Sequence, residues 1–190
     1  MPSTQPSVGF LTALEDDEGG YLGGYLITNY LGRPLEFQCT TPIRPNRPQR
    51  ILYGSTLRPY LMGELIGLTL VEKAATKADL LFTDQEPILA LRPHLTAPLA
   101  CLDRGFVAGS DGAVAFAESP PGATVGLSNR AREDVSPATN APFAVHWQFD
   151  ADRSAIEAWL TSLETPLDLI EPFSRIREAV DEALQSSSLR

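Results

Sequence analysis

The sequence predicts an α/β fold: a mixed sheet in the order β-β-β-α-β-α-β, followed by C-terminal helices. Three observations lead there. Residues 8–40 hold three strand-like segments in succession. A long stretch, 53–73, has helical spacing of apolar residues. After it, two short apolar runs, 79–83 and 97–102, flank a brief helical stretch, and each ends on a carboxylate, Asp84 and Asp103. Short connections of that kind imply parallel strands.

Each element has a local justification. Residues 8–14 (Val-Gly-Phe-Leu-Thr-Ala-Leu) form an apolar strand that ends in the acid cluster 15–18 and Gly19-Gly20. Residues 21–28 form a second strand, in which Gly23-Gly24 signals a bulge or a close backbone approach. Leu35, Phe37 and Cys39 alternate with Glu36, Gln38 and Thr40, the period of a half-buried strand with Cys39 facing the core. Three prolines (Pro42, Pro45, Pro48) keep residues 41–50 out of a helix interior or a central strand. Pro59 falls in the first turn of the 53–73 helix, where proline is tolerated. Gly63 and Gly67 lie together on one side of that helix and allow a neighbouring backbone to come close. Residues 79–83 and 97–102 suit strands buried on both faces, and 85–92 gives about two helical turns between Pro87 and Pro93. A turn at 109–112, a short strand at 114–117 and an exposed loop at 128–142 are expected next. Residues 143–149 form a strand, Asp150 an N-cap, and Ile156, Trp159, Leu160 and Leu163 a helical face. A last helix presents Leu169, Phe173, Ile176 and Val180, with Glu178 in solvent. The chain, 1–190, is thus expected to be a single domain. Its α/β core spans 8–103, an irregular region 104–142, and a strand with two helices 143–185.

Composition narrows function. A net charge of −9 and a pI near 4.7 argue against broad binding to nucleic acid or anionic membrane. Two distant cysteines, Cys39 and Cys101, fit a reducing compartment. With no basic-then-apolar leader and no run of the ~20 apolar residues a bilayer span needs, a cytoplasmic location is expected. His94 and His146 lack zinc-ligand spacing, and no phosphate-cradling or nucleophile-elbow motif occurs.

One residue stands out. At about 100° per residue, Glu64 falls within the stripe Leu57, Tyr60, Leu61, Leu65, Leu68 and Val71. A carboxylate on a core-facing surface must be paired, metal-bound or protonated. Arg33 and Arg92 are candidate partners, and a metal is the other reading. Asp84 at a strand end is either a ligand-site acid or a helix cap. Glu15 opens a solvated acid run or closes the first strand. Glu36 on its strand and Glu86 in a first helical turn are weaker candidates.

The element order and these carboxylates resemble the ribonuclease H-like fold over residues 8–103. The resemblance implies Mg²⁺ or Mn²⁺ held by a first-strand, a first-helix and a fourth-strand acid. Its first-helix glutamate matches Glu64 and its Thr-Asp dipeptide matches Thr83-Asp84. The first-strand acid has only Glu15 to match, and the late-helix acid only Asp181, at the edge of the apolar face. On this resemblance Glu64, Asp84 and Glu15 are expected to be catalytic metal ligands. Arg44, Arg47 and Arg50, with Arg58, would supply a basic rim for substrate or nucleic acid. Two functions follow: a non-catalytic interaction or scaffold subunit with a protein partner, or a divalent-metal-dependent nuclease or phosphodiesterase.

Overall fold

The computed structural model of the chain describes residues 6–16, 18–102, 106–107, 115–116, 143–163 and 167–188. Strands β1 (Ser7–Glu15), β2 (Tyr21–Asn29) and β3 (Pro34–Cys39) form an antiparallel meander. Helix α1 (Arg47–Tyr53) and a longer helix follow. The longer helix, α2, runs as a π-helix over Pro59–Gly67 and as an α-helix over Leu68–Lys73. Then come β4 (Leu80–Thr83), a 3-10 segment (Glu86–His94) and β5 (Leu99–Leu102). Strands β6 (Phe106–Val107) and β7 (Ala115–Phe116) pair with each other. Strand β8 (Phe143–Val145), helix α3 (Ala151–Ser162) and helix α4 (Glu171–Ser188) end the chain. The main sheet has six strands in the order β3-β2-β1-β4-β5-β8. β1 runs parallel to β4 and β4 to β5, so the sheet is mixed, and the α/β class with its C-terminal helices is the one the sequence predicts. Among the described residues no helix is long and apolar enough to cross a membrane. The expected turn at 109–112 and loop at 128–142 lie outside the described residues.

Both faces of the sheet are buried, which is why β1, β2, β4 and β5 are nearly continuous apolar runs. Period two divides their side chains between two layers. Val8, Phe10, Leu80 and Phe82 pack with Ile156, Phe173, Ile176 and Val180 of α3 and α4. Leu11, Ala13, Leu81 and Cys101 pack with Met62, Ile66 and Leu70 of α2 and with Ile88 and Leu91 of the 3-10 segment. The apolar face expected for the last helix is buried: Phe173, Ile176 and Val180 of α4, and Leu169 just before it, are each no more than 1% exposed.

The Gly23-Gly24 pair makes the close approach, not a bulge; the register irregularity lies at Ile27/Thr28. A Cβ on Gly23 would sit 2.3 Å from Ile66 Cγ2, and one on Gly24 2.3 Å from Ile176 Cγ2. Adjacent glycines on one strand thus seat a helix on each face. Gly63 does the same for the 3-10 segment, where a Cβ would meet Leu91 N at 3.0 Å and Pro87 O at 3.1 Å.

Three local expectations are corrected. Helix α1 begins inside the proline-rich segment. Asn46 and Gln49 form a reciprocal capping box and Pro48 occupies the first turn, where its missing N–H has no cost. Asp150 takes the N-cap position of α3, as expected, and the correction is that it makes no side-chain cap bond. On β3 the faces are reversed: Leu35, Phe37 and Cys39 are exposed, while Glu36, Gln38 and Thr40 are half-buried. Alternation shows which residues share a face, and packing decides which face is covered. α4 lies chiefly over β1 and β2.

Glu36 has a role set by that reversal. Its carboxylate accepts from Thr76 N (2.7 Å), Ala75 N (3.0 Å) and Gln38 Nε2 (2.7 Å), tying the edge strand to the end of α2. Those bonds, led by the Thr76 amide, hold its pKa at about 2 against an ordinary 4.5. A depressed carboxylate pKa stabilises the fold above the unfolded value, and that contribution is lost as pH falls through the folded one. Wild-type stability is therefore expected to drop between pH 4.5 and about 2. Glu36→Gln is expected to flatten that limb of a stability–pH curve measured by urea denaturation. An unchanged acid limb would remove Glu36 from the account.

Candidate functional site

The carboxyl ends of parallel β1 and β4 are where the fold can place a site. Leu11 pairs with Thr83, so the next residues, Thr12 and Asp84, stand side by side at the tip. Thr12 is on the same side of β1 as Phe10, the side covered by α4. Its Oγ1 donates to Asp84 Oδ1 at 2.7 Å. Arg177 of α4 donates through Nη2 to Asp84 Oδ2. The Asp84 side chain is only 7% exposed, and that of Arg177, its charged partner, is 35% exposed. Beside it, Gln85 Oε1 accepts from Ala13 N at 3.1 Å. The tip is thus a Thr–Asp–Arg cluster with its buried charge compensated.

Glu64 is not part of it. The residue is exposed, which corrects the expectation that it faces the core. The buried side of α2 is Leu61, Met62, Gly63, Ile66, Gly67 and Leu70. Of the anticipated stripe only Leu61 is buried; Leu57, Tyr60, Leu65, Leu68 and Val71 are half-buried. Two causes combine. The Pro59–Gly67 stretch is π-wound, with Leu68 N–H bonded back to Gly63 O, so a 100° projection drifts out of phase. And the glycine side packs closest, because only there can the 3-10 backbone approach. α2 also covers the sheet face opposite to the one bearing Thr12.

Glu15 is likewise elsewhere. β1 runs three residues past Thr12, a rise of about 10 Å, before it reaches Glu15. There Glu15 Oε2 accepts from Arg58 Nη2 at 2.9 Å, and Tyr21 OH approaches Oε1 at 3.4 Å. Among the described residues no group of three or more His, Cys, Asp or Glu is placed to hold a metal ion. Glu15, Glu64 and Asp84 therefore do not converge.

The basic segment meets the acid run instead of standing free of it. Arg44 pairs with Glu18 and lies 3.6 Å from Asp16, and Arg50 Nη2 donates to Gly19 O at 3.2 Å. Arg47 is exposed at the start of α1. Gly20 N–H, at 2.6 Å, leads the contacts that lower the Asp16 pKa, with Glu18 N–H and Arg44 adding to it. Arg92, a suggested partner of Glu64, is bound to Asp152: Nη2 donates to Oδ1 at 2.8 Å, and Leu99 N–H reaches Oδ2 at 3.2 Å.

No family model and no curated protein matches this chain.

Sequence reading missed Thr12, Arg177 and Asp152. Thr12 had a signal: one hydroxyl inside Phe-Leu-Thr-Ala-Leu, at the position that a parallel pairing brings beside Asp84. Arg177 sits four residues after Phe173, beside the buried Ile176, but where α4 docks is not a local property. Asp152 lies in the first turn of α3, where an acid needs no partner to be favourable.

Proposed function

We propose that this protein is a non-catalytic interaction subunit built on a ribonuclease H-like core. One observation carries the reading: the buried strand-tip acid, Asp84, has its oxygens taken by Thr12 and Arg177. A guanidinium supplies the positive charge that a cation would otherwise bring to a desolvated carboxylate. The two β1 residues at the tip, Thr12 and Ala13, carry no acid. The likeness of core is supported by the element order and by the parallel pairing of β1 with β4. Interaction is supported by large apolar side chains left in solvent: Leu35, Phe37, Ile51, Leu52 and Trp147.

The test is a titration with Mg²⁺ and Mn²⁺ while following thermal unfolding and hydrolysis of an activated phosphodiester. Ligands that bind the native state raise Tm. Wild type is expected to show no saturable rise and no turnover. A rise or a turnover in wild type that disappears in Asp84→Asn would overturn the reading and restore the metal-dependent phosphodiesterase.

A further inference from the structure

We propose that β3 pairs antiparallel with β3 of a second copy of this chain, across a two-fold axis at Phe37, joining the two sheets edge to edge. β3 ends the strand order, and none of the described residues pairs with its outer edge. Thr40 N–H donates to Gly23 O at 2.9 Å. Bonding alternates along an antiparallel pair, so Glu36 and Gln38 turn their backbone groups toward β2. Phe37 and Cys39, opposite Leu26 and Gly24, turn theirs outward. These are unpaired donors and acceptors of the kind another strand completes.

The edge is lightly protected, its register irregularity and its proline both lying at the Pro34 end. It has no lysine, its one proline is at the first position, and its one charge is Glu36. That carboxylate is turned to the Ala75 and Thr76 amides on the α2 side. The other side of the strand bears Leu35 (53% exposed), Phe37 (38%) and Cys39, level with the α4 layer.

Symmetry and charge select a second copy as the occupant. An isologous strand pair can centre on a residue that exchanges both bonds with its own copy, a register that requires backbone groups directed outward. Phe37 has its N–H and C=O directed outward and meets that requirement. With the axis there, Leu35 lies opposite Cys39 of the second copy, and Glu36 lies opposite Gln38. No like charges face each other, in a chain whose net charge of −9 makes most self-contacts repulsive. The axis position also stacks Phe37 on its own copy in an otherwise apolar row.

The association state and the metal titration are separate measurements, so either reading can fail alone. Sedimentation equilibrium of the unaltered chain is expected to show the 20.6 kDa mass doubling with concentration. Over the same range the Phe37 and Cys39 amides are expected to slow in hydrogen exchange by about tenfold or more. Phe37→Glu places like charges on the axis and is expected to abolish the doubling, whereas Glu64→Gln on α2 leaves it intact. A mass that stays at 20.6 kDa, doubling without slowed Phe37 exchange, or doubling that survives Phe37→Glu would each overturn the proposal. So would protection of those amides by an added extended peptide while the chain itself stays monomeric. The exchange measurement uses wild type and stands even where a variant misfolds.

Discussion

Asp152→Ala is expected to destabilise the fold by about 3–5 kcal/mol, the cost of leaving a buried charge without its partner. Arg92 and Asp152 expose only 9% and 6% of their side chains. The guanidinium also donates to Leu95 O at 2.8 Å and lies 4.2 Å from the centre of the Phe149 ring. These contacts fasten the 3-10 segment, β5 and α3 together. Removing the acid strands the guanidinium and deprives Leu99 N–H of its acceptor. Replacing both members by apolar groups, Arg92→Met with Asp152→Leu, is expected to recover most of the loss, because the desolvation of two ions disappears with them. Urea denaturation at a constant m-value measures both. A single-variant loss below about 1 kcal/mol would place the pair in the exposed class and sink the account.

Gly24→Val is the second large effect, expected to cost about 3 kcal/mol through overpacking. The added Cβ alone would lie 2.3 Å from Ile176 Cγ2 and 3.0 Å from Val180 Cγ2, so α4 must lift from the sheet. Because α4 also carries Arg177, the lift is expected to loosen the Asp84 cluster. Ile176→Ala makes room, and the double variant is expected to be less destabilised than the sum of the singles. Simple additivity, read from the same denaturation curves, would show that the two sites do not touch. Glu64→Gln gives the contrast: as an exposed residue it is expected to stay within about 0.5 kcal/mol of wild type.

The two helices that the sequence displays most clearly illustrate what periodicity can carry. In α4 the apolar residues occupy one side only, so Phe173, Ile176 and Val180, with Leu169 just before the helix, could be named as buried directly. In α2 they occupy more than one side, and the side that is buried is the one with the least side chain, at Gly63 and Gly67. Apolar content then points the wrong way, and it carried Glu64 with it. The β3 edge is the same lesson in a strand. Leu35, Phe37 and Cys39 were correctly grouped, yet the group is exposed because α4 packs chiefly on β1 and β2. The acid run at 15–18 and the arginines at 44, 50 and 58 looked like separate surface features. The fold brings Arg44 to Asp16 and Glu18, Arg58 to Glu15, and Arg50 to Gly19 O beside them.

What the chain determined by itself was local: the succession of strands and helices, the α/β class, the amphipathic face of α4, and Asp84 at the tip of β4. These follow from side-chain period and from turn residues, which act over a few neighbouring positions. Partnership was decided only in three dimensions. The β1–β4 register put Thr12 beside Asp84, and the docking of α4 through Gly24 brought Arg177 to that acid. Both depend on contacts between residues distant in sequence, whose geometry is fixed by how closely the layers pack and not by any pattern along one segment.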